Sequence, residues 1–142
     1  MYIESLLKRP SVRLSDVMQD KSLLEGKDCL IVDSFGLLSS IYRYGTIAYI
    51  GGGFGAGIHN TLEAAVYGIP VIFGPKYQKF QEAVQLLEAE GGFSIKGYEE
   101  LKTLLDRMLT DEEFLRNTGK NAGRYVTDNA GATDKVLNMI NF

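Results

Sequence analysis

Short apolar runs alternate along this chain with longer stretches of helical periodicity. The runs cover residues 11–14, 28–33, 46–50, 70–73 and 93–95. The helical stretches cover residues 2–8, 37–44, 60–67, 80–90, 98–109, 111–126 and 133–140, while 16–25 is irregular or weakly helical. Strands that alternate with helices of this length indicate βαβ units. The runs are almost continuously apolar, which is typical of strands covered by helices on both faces. The pattern therefore predicts an α/β fold with a parallel sheet and helices on both faces.

Length and composition indicate how many domains the chain forms and argue against several classes of protein. A chain of 142 residues predicts a single domain. The net charge of −3 argues against a nucleic-acid partner, since a nucleic-acid binder usually has a basic face. The single cysteine, Cys29, excludes an intramolecular disulfide. No apolar run approaches the roughly 20 residues of a membrane span, so we expect this piece of chain to be soluble.

In a parallel sheet, ligands bind beyond the carboxyl ends of the strands, and the loop after the run 46–50 is rich in glycine. Five of residues 51–57 are glycines, so backbone amides can approach a ligand closely there. The predicted helix that follows points its free N–H groups at the same place. We expect a phosphate on this loop, bound by Gly52, Gly53, Gly55 and Gly57, although a tight connection that binds nothing has the same composition. The spacing is neither a Walker A motif nor a dinucleotide fingerprint.

His59, Asn60 and Glu63 open the predicted helix after the glycines. Glu63 can accept hydrogen bonds from a ribose diol, and His59 can donate to a phosphate or a sugar. Asn60 with Glu63 also forms a variant of the capping box, which needs no ligand. Both interpretations of Glu63 are open at this point.

Charged and polar residues end two other runs. Lys76 and Lys79 follow the run 70–73, and Asp33 and Ser34 end the run 28–33. We expect these four residues at the rim of the ligand site, although surface lysines are more often simply solvated. No nucleophile–base arrangement is visible, and a single histidine with a single cysteine does not predict a metal site. The sequence thus predicts a nucleotide site and no catalytic residue.

Five segments resemble the donor half of GT-B-type glycosyltransferases, and within that fold the 3-deoxy-D-manno-octulosonic acid (Kdo) transferases. They lie in order at residues 33–36, 49–53, 57–64, 68–75 and 129–132. The specific combination is Gly-x-His-Asn-x-x-Glu from Gly57, then Gly-x-Pro-Val from Gly68 and Gly-Pro from Gly74. The resemblance implies a Rossmann-like sheet that forms the carboxyl-terminal half of a GT-B fold.

The chain departs from the family pattern at several positions. The family usually has a second glycine at the place of Ile58, proline at Ala64 and glutamate at Leu37. It often has histidine and asparagine where Lys76 and Lys79 stand. These departures concern contacts to the sugar and the acceptor, and they leave the glycine loop intact.

The resemblance implies an inverting, metal-independent transferase that moves Kdo from CMP-Kdo to a lipid A precursor in lipopolysaccharide synthesis. No cofactor is expected beside the donor substrate. In the family, an amino-terminal domain binds the acceptor, supplies the general base and carries the membrane anchor. We therefore expect residues 1–142 to be one donor-binding domain of a longer enzyme, with 1–27 as an inter-domain or entry segment. The full-length enzyme would act at the cytoplasmic face of the bacterial inner membrane, attached only through the missing part, and this chain alone would be inactive.

Two alternatives are open from the sequence. The first is another GT-B-type nucleotide-sugar enzyme, such as a UDP-hexosamine transferase or an epimerase. The second is a non-catalytic subunit that binds a nucleotide sugar and needs a partner chain. A comparison of binding to cytidine, uridine and guanosine nucleotides tests the first alternative. A longer reading frame upstream of this sequence would decide the second.

Overall fold

The structure, a computed structural model, describes residues 6–34 and 36–140, with side chains up to residue 130. The chain divides into two compact units, residues 1–40 and 41–142. The single domain over 1–142 and the entry segment over 1–27 stay predictions. The helical piece expected at 2–8 lies mostly outside the described residues.

The first unit contains two short parallel strands. Strand β1 (Ser11–Arg13) pairs with β2 (Cys29–Ile31), and Val12 lies opposite Leu30. Helix α1 (Leu14–Gln19) follows β1 directly, and a 3₁₀ turn (Lys21–Leu24) leads toward β2. Helix α2 (Leu38–Ile41) lies at the unit boundary.

The second unit is built on a three-stranded parallel sheet in the order β3-β4-β5. A 3₁₀ turn (Tyr42–Tyr44) precedes strand β3 (Ala48–Ile50). Strand β4 (Val71–Phe73) is central, and β5 (Gly92–Ser94) forms the far edge. The helices between and after the strands are α3 (Leu62–Ala65), α4 (Gln81–Glu88), α5 (Tyr98–Thr110) and α6 (Glu112–Ile140).

Both faces of β4 are covered by helices. Val71 and Phe73 point into a core formed by α3, α4 and α6, whereas Ile72 points into a second core with α5 and the start of α6. All three side chains are fully buried. Burying an aliphatic or aromatic side chain stabilises a fold by about 1.5–3 kcal/mol, so β4 is the anchor of this unit. The predicted α/β class with helices on both faces is confirmed.

Several elements differ from the predictions. The helix expected at 60–67 contains only the four residues Leu62–Ala65. The two helices expected at 111–126 and 133–140 form one 29-residue helix, α6. Its start is capped by Asp111, whose Oδ1 accepts the N–H of Phe114 at 3.0 Å. The predicted parallel strands also belong to two separate sheets.

Helix α4 ends one residue earlier than its glycines indicate. The residue with positive φ is Glu90, at +59°, and not Gly91. The N–H of Gly91 donates to Leu86 at 3.0 Å and that of Glu90 to Leu87 at 3.1 Å, which is a Schellman turn. Gly91 is required for another reason, because a methyl group there would lie 2.5 Å from the amide nitrogen of Ala122 on α6.

Candidate functional site

The glycine loop after β3 folds back on itself. The carbonyl oxygen of Gly52 accepts the N–H groups of Gly55 and Gly57, both at 3.1 Å, and Gly51 accepts the N–H of His59 at 3.1 Å. Gly52 has φ +90°, and a side chain there would collide with the carbonyl of Gly57. Two of the amides expected to contact phosphate, those of Gly55 and Gly57, therefore bond within the loop, and Gly52 is needed for the turn itself.

Gly53 has a packing role. A methyl group on Gly53 would lie 2.5 Å from the nitrogen and 2.6 Å from the Cα of Gly74, which follows β4. The N–H of Lys76 also donates to the carbonyl of Gly53 at 2.9 Å. The loops after β3 and β4 are thus in direct backbone contact.

Gly55 and Gly57 face a cavity of about 320 Å³, which we call the lysine cavity. Its lining is Gly55, Ala56, Gly57, Lys76, Gln78, Lys79 and Phe80. Gly55 has open space around it, with no atom nearer than 3.9 Å to an added Cβ, whereas Gly57 has φ +144° and packs on the ring of Phe80. The structure therefore brings together four of the predicted site residues at the carboxyl ends of β3 and β4.

A second cavity of about 240 Å³, which we call the Asn60 cavity, lies beside the start of α3. Its lining is Ile58, His59, Asn60, Thr61, Leu62, Phe80 and Glu82. Asn60 also caps α3, because its Oδ1 accepts the N–H of Leu62 at 2.9 Å. Phe80 lines both cavities and so forms a wall common to them.

Glu63 lies in the first turn of α3 and is half-buried. Within the described residues it forms no capping hydrogen bond, and Asn60 alone supplies the cap. The pKa of Tyr42 is raised, first by burial and then by the charge of Glu63, so this carboxylate lies near the phenol. Because α3 has only four residues, its dipole contributes less to anion binding than the expected eight-residue helix would.

Asp33 and Ser34 belong to the first unit. The Oδ1 of Asp33 accepts the N–H of Ser15 at 3.0 Å, and its Oδ2 accepts the Ser15 hydroxyl at 2.5 Å. These two hydrogen bonds hold the pKa of Asp33 below its usual value. The carboxylate therefore caps the start of α1, and both of its oxygens are engaged there.

Sequence reasoning missed Phe80, Gln78 and Glu82 as site residues. Phe80 begins a predicted helix, where an aromatic side chain normally packs into the core. The available signal was its place directly after the two lysines, in the loop at the carboxyl end of a parallel strand.

The lysine cavity combines two ammonium groups with the glycine loop, which suits an anionic ligand. Among the described residues, no three His, Cys, Asp or Glu side chains are grouped as ligands for a metal ion. In the same part of the chain, no helix has the length and apolar character needed to cross a membrane.

Comparison with known proteins gives consistent relatives. No family model matches the chain. The 3-deoxy-D-manno-octulosonic acid transferase of Aquifex aeolicus is 46% identical over 95 residues, which cover 66% of this chain and 27% of that protein. The enzyme of the same name from Rickettsia conorii is 37% identical over 116 residues, covering 80% of this chain and 25% of that protein.

A solved structure matches the fold. The C-terminal CMP-Kdo binding domain of WaaA from Acinetobacter baumannii superposes with a TM-score of 0.70 at 20% identity, covering 86% of this chain and 63% of that domain. This match confirms the predicted resemblance to the carboxyl-terminal half of a GT-B fold. The chain spans only about a quarter of the length of the curated relatives. Over that length, the chain is a relative of the 3-deoxy-D-manno-octulosonic acid transferases.

Proposed function

We propose that this chain is the donor-binding part of a Kdo transferase and that it binds CMP-Kdo. The observation that carries the proposal is the lysine cavity, where the glycine loop after β3 meets the lysines after β4. Sequence similarity to Kdo transferases, at 46% and 37% identity, supports the choice of donor. The whole enzyme would transfer Kdo to a lipid A precursor at the cytoplasmic face of the inner membrane.

The chemical task of this part is to hold the leaving group. When the bond between the sugar and the phosphate breaks, negative charge develops on CMP, and nearby cations stabilise that charge in the transition state. In this proposal the positive charges of Lys76 and Lys79, which line the same cavity as the glycine loop, attract that charge without contacting the phosphate directly. The acceptor site and the general base belong, in this proposal, to another part of the enzyme, so no catalytic residue is assigned here.

The test is calorimetric titration of the chain with CMP, UDP and GDP. We expect CMP to bind with a Kd between micromolar and millimolar, about −8 to −4 kcal/mol, because the proposal places the other half of the cleft in another part of the enzyme. The uridine and guanosine nucleotides should bind at least tenfold more weakly, and no Kdo transfer should be detected. Preference for UDP would instead favour a hexosamine transferase or an epimerase. Kdo transfer by the isolated chain would contradict the proposal that the acceptor site and the general base lie in another part of the enzyme.

We also propose that Glu63 accepts hydrogen bonds from the ribose of CMP, and replacing Glu63 by glutamine tests this contact. A carboxylate can accept two hydroxyl hydrogen bonds, each worth about 1.5–3 kcal/mol, whereas glutamine accepts through one oxygen. We expect Glu63→Gln to weaken CMP binding about tenfold or more while changing the free energy of unfolding by less than about 1 kcal/mol. Binding is measured by calorimetry and stability by urea denaturation.

The matched control is Glu99→Gln, which changes an exposed first-turn glutamate of α5. It should leave CMP binding unchanged. Wild-type protein should bind 2′,3′-dideoxy-CMP as weakly as Glu63→Gln binds CMP. A variant that melts earlier yet binds CMP normally would assign Glu63 to helix stability alone.

A further inference from the structure

The described residues give the lysine cavity two positive charges and no negative one. Of these residues, Lys76 and Lys79 line it, and no aspartate or glutamate does. Neither ammonium group has a salt-bridge partner within the described residues, in contrast to Lys102, whose Nζ lies 2.9 Å from Asp106. An unpaired pair of cations in one concave space favours a ligand that brings its own negative charge.

The neighbouring polar group adds a donor to the same cavity. The Oε1 of Gln78 accepts the N–H of Tyr77 at 3.1 Å, so the carbonyl end of this side chain is occupied and its NH₂ group is left to donate. The loop is also anchored at its start by the bond from the N–H of Lys76 to Gly53. The cavity is thus lined by two lysines and an amide donor on an anchored loop, and these hydrogen-bond donors can bind the two oxygens of a carboxylate.

The Asn60 cavity has a different character. Among the described residues, its lining includes Asn60 and the acidic Glu82 but no lysine, and Phe80 lines both this cavity and the lysine cavity. A CMP-sugar acid carries one charge on its phosphodiester and a second on the carboxylate of the sugar. Two chemically distinct compartments with a common wall therefore suit the two halves of such a donor.

We infer that Lys76, Lys79 and Gln78 bind the carboxylate of the sugar acid, and so select an acidic sugar rather than the nucleotide. The inference rests on the proposed function. It concerns this chain in particular, because Lys76 and Lys79 stand at positions where the family pattern often has histidine and asparagine.

The test compares CMP with CMP-Kdo at pH 8, because both ligands then carry about two negative charges. In CMP both charges are on the phosphate, whose second pKa is about 6, whereas in CMP-Kdo one charge has moved to the carboxylate. Non-specific attraction by lysines therefore affects the two ligands alike. The variant Lys76→His/Lys79→Asn removes both positive charges, since histidine is neutral at this pH.

We expect wild-type protein to bind CMP-Kdo at least tenfold more tightly than CMP. The double variant should lose this preference while its affinity for CMP falls less than threefold. The matched control, Lys96→His/Lys120→Asn, removes two exposed charges that do not line the cavity and should keep the preference. Circular dichroism and urea denaturation verify that all three proteins are folded alike.

Three results would overturn the inference while the proposed function stands. These are equal binding of the two ligands by wild-type protein, an undiminished preference in the double variant, and a loss of CMP affinity as large as the loss for CMP-Kdo. The last result would assign the lysines to the phosphate. Failure of wild-type protein to bind either ligand would overturn the proposed function, and the inference with it.

Discussion

Gly53→Ala is expected to destabilise the chain by about 3 kcal/mol, a cost at the upper end of the usual range for overpacking. The added methyl would lie 2.5 Å from the nitrogen and 2.6 Å from the Cα of Gly74. Both neighbours are backbone atoms at the end of the buried strand β4, so no side-chain rotation can relieve the contact. Urea denaturation, followed by circular dichroism, measures the loss.

The control comes from the same loop. Gly55→Ala places its methyl 3.9 Å from the nearest atom, and Gly55 does not have a positive φ. Its free energy of unfolding should change by less than about 0.5 kcal/mol. If Gly53→Ala and Gly55→Ala were equally stable, the close approach of the two loops would not exist in solution.

Gly55→Val is expected to abolish CMP binding, with a loss of at least about thirtyfold, or ~2 kcal/mol. The branched side chain would fill open space beside the glycine loop, where we expect the phosphate of CMP, whereas the lysines of the same cavity are assigned to the sugar carboxylate. The valine side chain would therefore collide with the bound ligand and not with other atoms of the protein. Calorimetric titration with CMP gives the affinity, and thermal melting gives the stability.

Gly57 is unsuitable for this experiment. It has φ +144°, and an added Cβ would lie 3.0 Å from the ring of Phe80, so a substitution there strains the fold as well as the site. Normal CMP binding by a folded Gly55→Val protein would mean that the glycine loop is only a connection between β3 and α3.

Most of the fold could be predicted because it depends on local signals. The apolar runs around Ala48, Val71 and Gly92 each became a strand of the parallel sheet. Helix α5 appeared where leucines recur at helical spacing, with Met108 fully on its buried side. The periodicity of apolar residues is therefore sufficient for element type and layer order.

The ends of the helices depend on tertiary contacts, which the periodicity of apolar residues does not reveal. Gly91 looks like the end of α4, but its lack of a side chain is required by Ala122, 31 residues further along the chain. The left-handed conformation that ends the helix falls instead on Glu90. Asn60 and Glu63 have capping spacing, yet only Asn60 caps.

The sequence was sufficient to predict which loops form the candidate site, but not what each residue in those loops does. Gly55, Gly57, Lys76 and Lys79 do line one cavity. The packing roles of Gly52 and Gly53 depend on non-neighbouring backbone atoms, which composition cannot indicate. Asp33 is engaged by Ser15, 18 residues earlier, a tertiary contact that no local pattern specifies.

The backbone contact between Gly53 and Gly74 also bears on the entropy of ligand binding. Two independent loops would each lose conformational freedom when a ligand ordered them, at about 1–2 kcal/mol for every residue fixed. Here the contact and the bond from Lys76 to Gly53 join the loops before any ligand arrives. The loops are therefore already ordered in the free protein. Binding of the donor costs less conformational entropy, so more of the contact energy contributes to affinity.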